Sequence, residues 1–419
     1  MFTRVRNVFY GWWIVVAVFF ISAYVSGVVV YGFTAIFEPI ANEFSWKYAQ
    51  VSFAASIREM ETSFLAPVVG VLIDRWGPRR IIFAGAAIVG LGLLLLSRVN
   101  SLAMFYGAFI FLAAGTSTCS GIIPMAAVGN WFRKKFTLAT GIAISGSAAG
   151  GLLVPLVTRI IDVYEWRMTI MILGFGAFVI LLPLSLIVRH KPEQYGHLSD
   201  GEKRRDITTE PGLKEVQANE FQTGARQALK SRAFWHIALG MMCHVLVINA
   251  VLTHVMPYLS SIDIPRSVSS LVASALPLIS ILGRLSFGWF GDRFDKKWLS
   301  SLGFIMTGIA VLLFNFVDVT GILLLVPFLI LFGIGYGGPV PMLPALLREY
   351  FGRGKFGTIL GLAMGVLAIG IMAGPPLSGW VFDTFGSYEG AWFALSGIVM
   401  LGMIILLTTP RVGNTLGRG

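Results

Sequence analysis

Apolar runs of about 20 residues recur along this chain, and each is long enough to cross ~30 Å of hydrocarbon as a helix. Lipid offers no hydrogen bonds, so only helices or closed barrels can satisfy their backbone within it. The runs are continuous rather than alternating, which points to helices. Twelve spans are expected. The first six are roughly 12–33, 49–73, 81–97, 103–128, 138–158 and 168–188. The second six are roughly 233–259, 267–290, 299–316, 321–346, 358–380 and 391–407. A chain with 56% hydrophobic and 13% charged residues is more apolar than a soluble core of this length requires. No small-residue cleavage site follows the first run, so it reads as a true span rather than a leader.

The polar stretch 189–232 separates the two sets of six. The expected division is therefore a six-helix bundle over 1–188, a cytoplasmic linker over 189–232 and a second bundle over 233–419. Basic residues set the orientation. With both termini cytoplasmic, 25 of the 32 Lys and Arg fall on that side and five fall on the other: Lys47, Arg98, Arg159, Arg167 and Arg266. That is the positive-inside pattern of a plasma-membrane protein. The net charge of +11 is then a topology signal, with no nucleic-acid partner implied. Cys119 and Cys243 both lie within apolar runs and read as small core residues.

The two halves echo each other. Gly70-Val-Leu-Ile-Asp74-Arg75-Trp-Gly-Pro-Arg79 follows span 2, and Gly288-Trp-Phe-Gly-Asp292-Arg293 follows span 8, at an offset of 218. Gly141, Ala143, Gly150 and Pro155 match Gly361, Ala363, Gly370 and Pro375 at an offset of 220. Such repeats predict an all-α membrane protein of two pseudo-symmetric six-helix halves around a central binding site. Glycine permits close helix approach, and the aspartate can pair with arginine or cap a neighbouring helix. Gly70, Asp74, Arg75, Arg79, Gly288, Asp292 and Arg293 are accordingly read as a conformational latch.

Arg284 stands alone among apolar residues from Ser267 to Phe290, in a run with no acid. A charge at such depth usually marks a substrate or ion path. Eight residues separate it from Asp292, so it lies about 12 Å from the loop, near mid-membrane. Its planar donors fit a carboxylate. His254 and Asn249 on span 7 could add hydrogen bonds, and His254 could carry a proton or serve a structural role. Tyr336 lies in Gly333-Ile-Gly-Tyr-Gly-Gly-Pro-Val-Pro341, where glycines and prolines permit bending. Arg58, Glu59 and Glu61 interrupt span 2. They form either an ion-pair network or a titrating site, with Glu61 preferred and Glu59 second. No Ser-His-Asp set, metal spacing or phosphate loop is apparent, so neither an enzyme nor a cofactor is expected.

The repeated loops resemble the signature of the major facilitator superfamily. The segment from Asn130-Trp-Phe-Arg-Lys-Lys to Gly150 resembles the span-5 signature of the monocarboxylate transporter family, and Tyr10-Gly-Trp-Trp-Ile-Val15 resembles the first-span signature of its bacterial branch, near the oxalate/formate antiporters. This resemblance implies a monomer in a bacterial inner membrane, with the family's carboxylate-binding arginine at Arg284. Bacterial members also resemble it in placing a span-7 histidine near that arginine. Two departures matter. Ser280 stands where animal members carry an aspartate four residues before the arginine, and Tyr31 aligns with their span-1 lysine. Span 11 also lacks the second cation of the oxalate exchangers. One cation suits one carboxylate, so the expected cargo is a lactate- or pyruvate-like monocarboxylate moving with a proton by alternating access. An anion exchanger is the alternative. A membrane sensor is disfavoured by the small linker.

Overall fold

The computed structural model describes residues 9–46, 48–119, 121–190, 192–195 and 224–410. The described chain is helical almost throughout. Ten helical runs among the described residues are long and apolar enough to cross a membrane. One of them, Phe136–Ile187, contains two spans, and the charged helix Tyr48–Trp76 supplies another. The protein is an all-α membrane protein with twelve spans.

By clustering of contacts the chain forms two compact units. The first comprises Met1–Phe221 with Lys355–Gly361, and the second Gln222–Gly354 with Leu362–Gly419. In the first unit, α1 (Tyr10–Val25) runs through a π-helical stretch, Ser26–Tyr31, into α2 (Gly32–Phe44). The helix therefore continues past the apolar span, which covers Tyr10–Tyr31. Next come α3 (Tyr48–Trp76), α4 (Pro78–Ser97), α5 (Leu102–Cys119) and α6 (Ile122–Trp131). The expected fourth span is thus two helices, and Gly121 between them has φ +67°, which favours glycine. α7 (Phe136–Ala149) leads through a short 3-10 turn into α8 (Val154–Ile187).

α8 breaks at Glu165, where φ is 62° and ψ 167°. A non-glycine residue there is strained, and its neighbours hold it in place. Trp166 Nε1 and the Arg167 guanidinium both donate to the Glu43 carboxylate. Arg167 also donates to the carbonyls of Ser97, the last residue of α4, and of Val99 beyond it. The break thus joins α2, α4 and α8 at one end of the unit.

In the second unit, α9 (Ala225–Lys230) and α10 (Arg232–Ser261) precede α11 (Arg266–Gly291) and α12 (Lys296–Asn315). A single turn, α13 (Val317–Thr320), leads to α14 (Leu325–Gly337) and α15 (Pro339–Phe351). α16 (Phe356–Phe385) and α17 (Glu389–Leu407) complete the chain, with the first residues of α16 grouped in the first unit.

The sequence echo has a counterpart in packing. A Cβ on Gly150 would lie 2.6 Å from the carbonyl of Ala23 on α1. A Cβ on Gly370 would lie 2.5 Å from the carbonyl of Met242 on α10. Both glycines let a helix backbone rest on its neighbour, and the two glycines are related by the offset seen in sequence. Cys119 and Cys243 are buried and free, as their setting implied.

Candidate functional site

The site begins with glycines that allow α11 and α14 to touch. A Cβ on Gly337 would collide with the carbonyl of Ser280, and one on Gly283 with that of Ile334. A Cβ on Gly333 would lie 2.5 Å from the Ile279 side chain. Backbones at that separation bring the adjoining side chains together. Arg284 follows Gly283, and Tyr336 precedes Gly337. Arg284 Nη2 lies 3.5 Å from the Tyr336 hydroxyl, with its guanidinium carbon 5.7 Å from the ring centroid. Arg284 is 5% exposed and Tyr336 is half-buried.

Proline shapes the next layer. In a regular helix the Gly335 carbonyl would bond the N–H of residue 339. Residue 339 is proline and has no N–H. His244 Nε2 lies 3.1 Å from that carbonyl and 3.3 Å from Thr307 Oγ1. A carbonyl only accepts, so Nε2 carries the proton. The imidazole stacks on Phe304 at 4.6 Å and is buried. His244 thus braces the turn that carries Tyr336. The signal was the proline four residues after Gly335.

His254 is placed with a different pair. Nε2 lies 2.9 Å from the Pro375 carbonyl, and Nδ1 3.1 Å from the Tyr388 hydroxyl. Nε2 therefore donates, and in the neutral ring Nδ1 accepts from the phenol. Asn249 Nδ2 donates to the Val245 carbonyl one turn back. Arg284 and Tyr336 meet directly, while the hydrogen bonds of His254 go to Pro375 and Tyr388 and that of Asn249 to Val245. Tyr31, half-buried, ends the π-helical stretch of the first unit. Such irregular turns recur at functional positions. The side chains of Arg58, Glu59 and Glu61 lie outside the described residues.

The Asp74 turn forms a second constellation, within the first unit. Asp74 accepts from the backbone N–H groups of Gly357 and Thr358 at 3.0 and 2.8 Å, and from the Thr358 hydroxyl at 2.6 Å. These N–H groups open α16 and have no partner within it. The carboxylate thus caps a helix distant in sequence, where negative charge is favoured. A Cβ on Gly70 would strike the Gly357 carbonyl, so glycine permits the approach. Arg75 and Arg79 are exposed. Sequence reasoning left Asp74 open between pairing with arginine and capping a neighbouring helix, and missed Thr358 as its partner. In the echoed turn, Gly288 is buried, Asp292 is half-buried and the Arg293 guanidinium sits 3.5 Å over Trp289. The next helix there is capped locally, by Asp295 accepting from the Lys297 N–H at 2.7 Å.

The two stretches that carried the resemblance also touch. Trp12 meets Phe132 edge to face at 4.9 Å, Tyr10 lies 5.3 Å from Trp131, and a Cβ on Gly11 would lie 2.8 Å from the Phe132 ring. They form one aromatic joint between α1 and the end of α6.

The sequence model described as Major Facilitator Superfamily matches residues 13–265 and 255–417. The chain belongs to the Major Facilitator Superfamily. As a member of this superfamily it is a carrier-type membrane protein rather than an enzyme. It is similar to Monocarboxylate transporter 12 of Xenopus laevis, at 27% identity over 97% of this chain and 90% of that protein. The human protein of that name is 28% identical over 96% of this chain and 81% of that one. Among solved structures, the proton:xylose symporter XylE superposes with a TM-score of 0.75 at 15% identity, covering 96% of each chain. The E. coli fucose:proton symporter FucP superposes at 0.69 and 13%, over 95% of this chain and 98% of that one. Similarity to monocarboxylate-transporter-like proteins extends over nearly the whole superfamily member, and the structural likeness establishes its fold.

Proposed function

We propose that this superfamily member is a secondary active carrier of small monocarboxylate anions, lactate- or pyruvate-like, moved together with a proton by alternating access. The observation that carries the reading is Arg284, a guanidinium buried in an apolar helix with the Tyr336 hydroxyl beside it. A buried carboxylate gains most from charge-assisted, bidentate hydrogen bonds, which this group supplies. The phenol can donate a further bond to the same anion. Full-length similarity to proteins named as monocarboxylate transporters supports the cargo class. A proton moving with the anion makes the load neutral, which favours its passage through a low-dielectric region.

His254 is the leading proton-coupling candidate, with Glu61 and Glu59 behind it, and Asn249 and Tyr31 are the remaining candidates for the pocket. The Asp74 cap acts as a latch that is made in one conformational state and broken in another. The setting is a bacterial inner membrane with both termini cytoplasmic, in the branch near the oxalate/formate antiporters, and the working form is a monomer.

The test is uptake of labelled L-lactate into proteoliposomes, with and without an inward proton gradient. Symport predicts uptake that rises with the gradient and collapses with a protonophore. Uptake that ignores both and needs an anion loaded inside would replace symport with exchange.

A further inference from the structure

The neutral His254 ring has one nitrogen free to take a proton. Nε2 already donates to the Pro375 carbonyl at 2.9 Å, so a proton gained or lost here passes through Nδ1. The group at Nδ1 is the Tyr388 hydroxyl, 3.1 Å away. Tyr388 also lines a cavity of about 400 Å³ at the end of the second unit away from the Asp292 turn, where α10, α12 and α16 finish and α17 begins.

Neighbouring rings fix the position of this phenol. Tyr388 stacks on Phe382 at 4.4 Å and on Trp392 at 5.5 Å, and meets Tyr258 edge to face at 5.8 Å. Tyr258 is the other phenol at the cavity, but its hydroxyl is committed to the Phe314 carbonyl at 2.9 Å. Among the described residues, the Tyr388 hydroxyl bonds His254 alone. The charged groups facing it are acidic: Asp318 of α13 and Glu389 of α17 line the cavity, and the charge of Asp383 on α16 acts on the phenol. Burial, and then the Asp383 charge, push the phenol above its ordinary value, so it stands as O–H rather than phenolate.

We propose that Tyr388 relays protons between this cavity and His254 Nδ1. The inference rests on His254 carrying the transported proton, as proposed above. A hydronium ion or protonated carboxyl in the cavity gives a proton to the Tyr388 oxygen while that oxygen releases its own proton to Nδ1. One O–H bond forms and one breaks on the same atom, the Nδ1–H bond forms, and water or carboxylate is left behind. The protonated ring then donates from Nδ1 to the phenol oxygen, so the contact survives in both states. Asp318 and Glu389 raise the local proton concentration at the mouth of the relay.

A clamp that merely ties α10 to α16 and α17 would need the same contacts, so the test compares two rates in proteoliposomes. One is net L-lactate uptake driven by an inward proton gradient. The other is exchange of labelled for unlabelled L-lactate at equal pH, during which His254 keeps its proton. Their ratio does not depend on the amount of folded carrier. Tyr388→Phe keeps the ring and removes the hydroxyl, and the relay predicts that the ratio falls at least about tenfold. Phe382→Leu loosens the stack but keeps the hydroxyl, and should leave the ratio at its wild-type value. Asp318→Asn/Glu389→Gln should lower it by up to about tenfold, and decides alone if Tyr388→Phe fails to insert. A ratio unchanged in the deciding variant, or lowered equally by Phe382→Leu, overturns the relay and leaves symport standing. Wild-type protein that exchanges lactate but shows no gradient-driven uptake overturns symport and the relay together.

Discussion

His244 Nε2 lies 3.1 Å from the carbonyl of Gly335, a group that Pro339 cannot bond. The contact ties α10 to the turn that presents Tyr336 to Arg284. His244→Leu would leave that carbonyl buried without its partner, a loss of about 1–3 kcal/mol. The expected outcome is a lower thermal midpoint in detergent and reduced lactate uptake. If midpoint and uptake both hold, the contact is idle.

The glycines between α11 and α14 should tolerate no side chain. Gly337→Ala drives a methyl into the Ser280 carbonyl, which only backbone movement relieves. Overpacking of this kind costs about 1–3 kcal/mol and would part Arg284 from Tyr336. Gly397→Ala is the matched control, because nothing lies within 4 Å of its Cβ. Uptake should fall with the first variant and persist with the second.

Asp74 and Thr358 should behave as a coupled pair. Asp74→Ala removes a carboxylate from three donors, and Thr358→Ala removes one of the three. A double-mutant cycle on thermal stability should give a coupling of about 0.5–3 kcal/mol. Additive effects would mean that the hydroxyl contact contributes nothing.

Glu43 should shape the acid limb of stability. Burial pushes its carboxyl upward, but the hydrogen bonds from Arg167 and Trp166, with the Arg167 charge, outweigh burial and hold it below its ordinary value of 4.5. A depressed folded value means stabilisation that is present above the ordinary value and lost as pH falls through the lower one. Both side chains are more than a third exposed, so the contribution stays below about 1 kcal/mol. Glu43→Gln should lower stability at neutral pH and converge with the wild type in acid. A constant difference at all pH values would contradict this.

Span number and the repeat were legible because lipid forces long apolar helices and duplication leaves matched glycines. Arg284 was legible because charge is costly at depth. Irregular backbone was not. The π-helical stretch at Ser26–Tyr31, the break at Gly121 and the helix Gly32–Phe44 beyond the first span depend on packing that hydropathy does not encode. The partners of His254 were also hidden. Its spacing from Asn249 placed it on α10, but Pro375 and Tyr388 arrive from residues more than 120 positions away.

The central claim is that Arg284 holds the transported carboxylate. The most direct measurement is proton-gradient-driven uptake of labelled L-lactate by proteoliposomes carrying wild type, Arg284→Lys or Arg284→Ala, with insertion matched. Losing a charge-assisted contact of about 1.5–3 kcal/mol or more predicts at least a tenfold fall. Arg284→Ala should be inactive, and Arg284→Lys should remain impaired despite keeping its charge. Wild-type uptake with unchanged KM in Arg284→Ala would contradict the account.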